Sequence, residues 1–229
     1  METEQHGRNV IAVSPDLRQR YDDLLARIAA VDSEPVQVLA VTKGFDVTAV
    51  RQAKALGLEA VGENYSQELL TKATQLAEAE ETAPDWHFIG RLQRNKIRPM
   101  ADLVTLWQTI DRVRLIDALA NHAPNAAILI QVNVSGESQK GGCAPADVED
   151  LVSHALDLGL DVQGLMTVGV ENDAAATLAG FKALRAQVDA LDLAVCSMGM
   201  SNDLEAAIGE GSTMIRVGTA LFGPRTGRG

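Results

Sequence analysis

Eight times along this chain a short apolar or β-branched run gives way to a longer stretch with apolar residues at helical spacing, and that alternation constrains the fold class more than any other feature. Parallel strands need crossovers of a dozen or more residues, which helices usually supply. The strand candidates are residues 36–41, 60–62, 86–89, 103–107, 128–134, 162–166, 194–197 and 214–217. Helical faces fall between them at Val47, Val50 and Ala53; at Leu69, Leu70, Ala73 and Leu76; at Val148, Leu151, Val152 and Ala155; and at Phe181, Leu184, Val188 and Leu191. A further helix precedes the first strand: Ser14 reads as its N-cap, Pro15 as its first residue, and Leu17, Tyr21, Leu24, Leu25 and Ile28 as its apolar stripe. Gly57 and Gly159 read as helix stops.

Eight such units in slightly more than 200 residues predict an α/β fold, a single closed (β/α)8 TIM barrel with its working groups on the loops after the strands. An open doubly wound sheet is the alternative, and no GxGxxG turn follows the first strand to support it. Residues 1–229 are read as one barrel domain, with 1–10 as a flexible tail. Val, Ile, Leu and Ala furnish the core almost alone, since aromatic residues are 3% of a chain that is 46% hydrophobic.

Charge and cysteine usage exclude several function classes. A formal net charge of -11 opposes nonspecific binding to a phosphate backbone, which needs a basic surface, but leaves room for a small anion held by a local nest of donors. Cys143 and Cys196 are too few for a disulfide scaffold, and neither sits in a CxxC motif, so a reducing cytoplasm is expected. No apolar run approaches the roughly twenty residues that span a bilayer, and the first ten residues lack a signal core. Neither nucleic acid nor membrane is an expected partner.

Chemistry concentrates at strand ends. Lys43 follows Val-Leu-Ala-Val-Thr at the carboxyl end of the first strand, where partial burial lowers a lysine's pKa and frees its lone pair for imine formation. Alone, a lysine ending a strand is more often simply exposed. Two later segments alter that weighing. In Ser197-Met-Gly-Met-Ser201-Asn-Asp203, Ser201 is expected to cap the helix through Leu204 and Ile208 and to leave amides and a hydroxyl facing an anion. In Arg216-Val-Gly218-Thr219, the glycine permits close backbone approach and the threonine adds donors for phosphate. Both follow the last two strands, the customary place of phosphate capture in this architecture. Arg216 ends the eighth strand and stays protonated; it suits either a pyridine nitrogen or a phosphate or carboxylate.

The segments Leu39-Ala-Val-Thr-Lys43, Gly62-Glu-Asn-Tyr-Ser-Gln-Glu68, Trp86-His-Phe-Ile-Gly-Arg-Leu-Gln-Arg-Asn-Lys96, Gly164-Leu-Met166, Ser197-Met-Gly-Met-Ser201 and Ile215-Arg-Val-Gly-Thr-Ala-Leu-Phe-Gly223 closely resemble the pyridoxal phosphate homeostasis proteins, across nearly the whole chain. They also look like the barrel half of bacterial alanine racemase. The resemblance implies that pyridoxal 5'-phosphate (PLP) is held as a Schiff base on Lys43, that Ser201, Gly218 and Thr219 grip its phosphate, that Arg216 faces its pyridine nitrogen, and that Asn64 and Met166 line its ring. His87 and Asn95 match the motif and receive no role; a histidine beside Trp86 on a strand is more often a packing residue. Gly44-Phe45-Asp46 departs from the Thr-Lys-Pro type of sequence associated with many members, which touches the local loop shape rather than the imine.

Two-base racemisation needs a second acceptor, which in alanine racemase is a tyrosine from another domain. Here the barrel pattern fills the chain to Phe222, and Tyr21 and Tyr65 are the only tyrosines. A PLP carrier or regulator without strong catalysis is therefore expected, a monomer that passes the cofactor transiently to apo PLP enzymes. The alternatives are a low-activity amino-acid racemase or related enzyme using Tyr65 or water, and a cofactor-free Schiff-base aldolase.

Overall fold

The computed structural model describes residues 13–31, 34–136 and 141–224. Eight parallel strands close into a barrel in strict sequence order: β1 Gln37–Val41, β2 Ala60–Glu63, β3 Asp85–Phe88, β4 Val104–Ile110, β5 Ala127–Gln131, β6 Asp161–Met166, β7 Val195–Ser197 and β8 Met214–Val217. All eight stand where the alternation predicts, and β8 pairs with β1 through Leu39↔Arg216 and Ala40↔Val217. The helices are α1 Pro15–Ala29, α2 Val47–Ala55, α3 Ser66–Glu78, α4 Arg94–Met100, α5 Val113–His122, α6 Val148–Asp157, α7 Ala174–Ala190, α8 Leu204–Gly209 and α9 Thr219–Phe222. The expected tail, residues 1–10, lies outside the described residues.

Strand alternation sorts the core into two layers. Inward-facing Leu39, Ala60, Leu106, Leu129, Met166 and Met214 fill the lumen. Ala40, Val61, Trp86, Phe88, Trp107, Ile128, Leu165, Ile215 and Val217 point outward and meet the helix faces in one continuous cluster. Burying each large aliphatic side chain in that layer contributes about 1.5–3 kcal/mol.

Local signals behave largely as read. The Ser14 hydroxyl accepts from the Leu17 amide at 3.2 Å, and helices end before Gly57 and Gly159, at φ +82° and +77°. Four details differ. Leu25 stays 41% exposed, because the α1 stripe that meets the barrel is centred on Leu17 and Leu24. Strand β5 stops at Gln131 rather than at 134: beyond it the chain turns, and Cys143 donates to Gln131 O at 2.9 Å while its carbonyl accepts from Asn133 N at 2.9 Å. Strand β4 runs on to Ile110. Helices α4 and α5 had no predicted face. Pro99 lies within the last turn of the short α4, whereas Leu115, Ile116 and Leu119 on α5 formed a readable stripe.

Among the described residues no helix is long and apolar enough to cross a membrane.

Candidate functional site

A closed parallel barrel brings all eight strand carboxyl ends to one rim, so residues far apart in sequence become neighbours there. Lys43 lies two residues beyond β1, half-buried, and counting by twos from the inward-facing Leu39 reaches it. The turn that carries it is tightly held. Phe45 N donates to Thr42 O at 3.1 Å, Gly44 takes φ +75°, and Gly44 N donates to Glu68 Oε2 at 2.7 Å. The unusual Gly44-Phe45-Asp46 segment thus has a local rationale. Glycine supplies the left-handed turn, Asp46 caps α2 by accepting from Thr48 N at 2.8 Å, and the Phe45 ring packs 5.3 Å from that of Phe222 on α9.

Behind this turn sits a buried ion pair. Lys72 Nζ on α3 donates to Glu63 Oε1 at 2.5 Å and to Thr42 O at 2.8 Å, and the Thr42 hydroxyl donates to the same carboxylate oxygen at 2.5 Å. Burial raises the Glu63 pKa, against the pull of Lys72 and Thr42.

The two glycine- and serine-bearing turns come together, with one correction. Ser201 does not cap α8: the N-cap is Asp203, and its carboxylate accepts from Met200 N. Ser201 instead turns across to α9, where its Oγ accepts from Ala220 N at 3.4 Å, joining the β7 and β8 turns. The helix starts only at Leu204, so Ser201 lies too far ahead of it to cap, and Asp203 at the N-cap position turns its side chain back to Met200 rather than onto the helix amides. Gly218 occupies the N-cap of α9, with Thr219 next. A Cβ placed on Gly218 meets Val41 O at 3.4 Å, an ordinary contact, so packing within the protein does not itself demand glycine here. Helix α1 braces both turns from outside: Arg27 donates to Ser201 O at 3.0 Å and to Glu205, and Arg20 donates to Leu221 O at 2.8 Å.

Arg216 is 5% exposed. Its Nη1 donates to Ser197 O at 2.9 Å and Ser197 Oγ at 2.7 Å, and its Nη2 to Thr167 O at 2.6 Å. Burial lowers its pKa to about 10, well above neutrality, so the guanidinium remains charged. Of its five N–H donors, Nε–H and one on Nη2 are left over.

Asn64 is half-buried after β2, and its Oδ1 is enclosed with no hydrogen-bond partner. Enclosed polar atoms are normally satisfied, and this one, at the rim, is left with an acceptor open to a donor. Met166 is 2% exposed and belongs to the lumen layer beneath the rim. His87 is 6% exposed and hydrogen-bonded through Nδ1 to Gln108 at 2.9 Å, the satisfied interior histidine that its position on β3 suggested. Asn95 lies exposed on α4. The sequence reading overlooked Gln108 and Thr167 as partners in this region. Gln108 had a signal: it falls two residues after the inward-facing Leu106, where strand alternation places a second lumen side chain. Both cysteines are buried free thiols, with pKa values pushed up by burial to about 12 for Cys143 and about 11 for Cys196.

Residues 17–226 match the family described as alanine racemase, N-terminal domain, which defines the class of barrel. Within it, the chain belongs to the pyridoxal phosphate homeostasis protein family. It is 41% identical to the pyridoxal phosphate homeostasis protein of Pseudomonas aeruginosa, over 96% of this chain and 95% of that one. The Escherichia coli protein of the same name is 37% identical over 84% of this chain and 87% of its own length. Among solved structures, PipY of Synechococcus elongatus with PLP bound has a TM-score of 0.79 at 30% identity, covering 90% of this chain and 99% of that one. An alanine racemase of Clostridium difficile shares the fold, with a TM-score of 0.69 at 13% identity.

Proposed function

We propose that the protein binds PLP at the carboxyl rim as a Schiff base on Lys43 and serves PLP homeostasis as a carrier or regulator rather than as an efficient enzyme. The observation that carries this reading is Arg216: a permanently charged group, 5% exposed, beside β1 and held by carbonyl and hydroxyl oxygens alone. Such a group wants an electron-rich partner, and an aromatic nitrogen supplies one. The orphaned Asn64 Oδ1 fits a donor on the same ligand. Ser201, Gly218 and Thr219 lie where two turns meet and are assigned to the phosphate, and Gly218 leaves room for its backbone to approach. Met166 would support the ring from the lumen.

Bound PLP supplies a reactive aldehyde and a conjugated ring able to take up electrons. Arg216 limits that capacity, since a guanidinium only donates, and a nitrogen that accepts from it stays unprotonated. Family membership, with PipY's PLP-bound structure, supports the cofactor. In this reading the whole chain is one PLP-binding domain, a cytoplasmic monomer that hands PLP transiently to apoenzymes. Two buried free thiols suit a reducing compartment.

A second reading, a low-activity PLP-dependent racemase or related enzyme, draws on Tyr65, which stands 58% exposed next to Asn64. Amino-acid turnover at ordinary enzyme rates that disappears in Lys43→Ala supports that reading. The deciding experiment for the binding site is borohydride reduction followed by intact mass and peptide mapping. A pyridoxyl group on the Lys43 peptide, absent from Lys43→Ala, is expected; a bare Lys43 in protein from vitamin-replete cells overturns the proposal.

A further inference from the structure

The lumen below the rim holds a polar chain reaching from β3 to β8. His87, Gln108, Ser197 and Arg216 are 6%, 0%, 0% and 5% exposed. Arg216 Nη1 lies 2.7 Å from Ser197 Oγ, Ser197 Oγ lies 2.9 Å from Gln108 Oε1, and Gln108 Nε2 lies 2.9 Å from His87 Nδ1. The middle contact crosses the lumen, since β4 and β7 are not neighbours in the barrel.

The charge at one end determines every proton in the chain. A guanidinium has donors only, so Ser197 Oγ must accept from Arg216. The serine's single proton then goes to the atom 2.9 Å away, which has to be the amide oxygen of Gln108. The Gln108 nitrogen must therefore donate, and its two neighbours are Met214 Sδ at 3.2 Å and His87 Nδ1. The thioether sulfur only accepts, and Nδ1 accepts only if the imidazole is neutral with its proton on Nε2. Amide orientation and histidine tautomer usually have to be assumed; here a permanent cation settles both. Burial, which lowers the His87 pKa to about 4, acts in the same direction.

We infer that Gln108 and His87 are positioning residues for Arg216, forming a one-way hydrogen-bond chain that ends on the His87 Nδ1 lone pair and commits the Ser197 proton away from the guanidinium. A free hydroxyl can turn its proton toward a cation and repel it. With Gln108 as acceptor, the Ser197 lone pairs always face Nη1. The guanidinium is then fixed by three acceptors, with two donors left for a ligand. The part of this inference that concerns the cofactor rests on the proposed role of Arg216; the direction of the chain does not.

The test begins on cofactor-free protein carrying 15N-labelled histidine. At neutral pH the His87 signals should show a bare Nδ1 and a protonated Nε2; a proton on Nδ1 overturns the inference. In Gln108→Leu nothing donates to Nδ1, so the His87 tautomer preference should relax and a proton should become detectable on Nδ1; a tautomer unchanged from the parent also overturns it. In PLP-loaded Gln108→Leu, release about tenfold faster, the worth of one charge-assisted hydrogen bond, and a near-visible spectrum shifted toward that of Arg216→Gln are expected. A lumen filler with no positioning role predicts an unshifted spectrum and unchanged release, and that result sinks the inference. If borohydride leaves Lys43 of the parent protein unlabelled, the cofactor reading fails while the tautomer result stands by itself.

Discussion

Among the described residues two cations are buried, Lys72 at 3% exposure and Arg216 at 5%, and they are kept in opposite ways. Lys72 sits outside the barrel and meets a carboxylate, Glu63, at 2.5 Å. Arg216 sits inside and rests on the Ser197 carbonyl and hydroxyl and the Thr167 carbonyl; no carboxylate among the described residues lies within ion-pairing distance of it. A charge neutralised within the protein is structural. A charge hydrogen-bonded only to carbonyl and hydroxyl oxygens, with Asp203 acting on it from beyond ion-pairing distance, keeps donors available to a ligand, which is why we assign Arg216 to the proposed site and Lys72 to the scaffold behind it.

The sharpest way to break this comparison is to remove the lysine. Lys72→Met leaves Glu63 buried without its partner and should cost about 3–5 kcal/mol in urea unfolding. A loss below about 1 kcal/mol would show that the pair is not closed.

The next effect concerns the far end of the Arg216 chain. Burial lowers the His87 pKa to about 4 from 6.5, so the unfolded chain takes up a proton well before the folded one does. Its contribution, on the order of 3 kcal/mol, is fully present above the unfolded value and is lost as pH falls toward about 4. Compared by denaturation at neutral and acid pH, the parent should lose its advantage over His87→Gln on acidification; a constant gap contradicts the assignment.

On the ligand side, Ser201→Ala should weaken PLP retention by about 1.5–3 kcal/mol, read as faster release, with little change in stability. Unchanged release removes Ser201 from the phosphate site without touching Lys43. The smallest effect is expected at the Lys43 turn, where Asp46→Ala removes the α2 cap and should cost about 1 kcal/mol of stability while the Lys43 adduct still forms. A larger loss in cofactor retention than in stability would mean that the turn presents Lys43 directly.

Much of this was legible beforehand because it is local. Strand ends follow from short apolar runs, so Lys43 and Arg216 could be placed at the rim from their neighbours in sequence. The stripe of α5 was equally readable and was missed, whereas Pro99 obscured α4. The capping role given to Ser201 failed because α8 begins only at Leu204, with Asp203 at the N-cap position, and the Ser201 hydroxyl is engaged by Ala220 N instead.

Periodicity alone determined the order of elements, the inward and outward faces and the strand ends on which chemistry collects, since each depends on residues a few positions apart. Only barrel closure decided that Ser201 meets Ala220, that Asn64 Oδ1 is left without a partner and that protons along the Arg216 chain all point one way. Those contacts join residues 19, 49 and 89 positions apart, as with Arg216 to Ser197, Arg216 to Thr167 and Ser197 to Gln108. A hydrogen bond acts over about 3 Å, so no local pattern encodes which distant donor will arrive beside which acceptor.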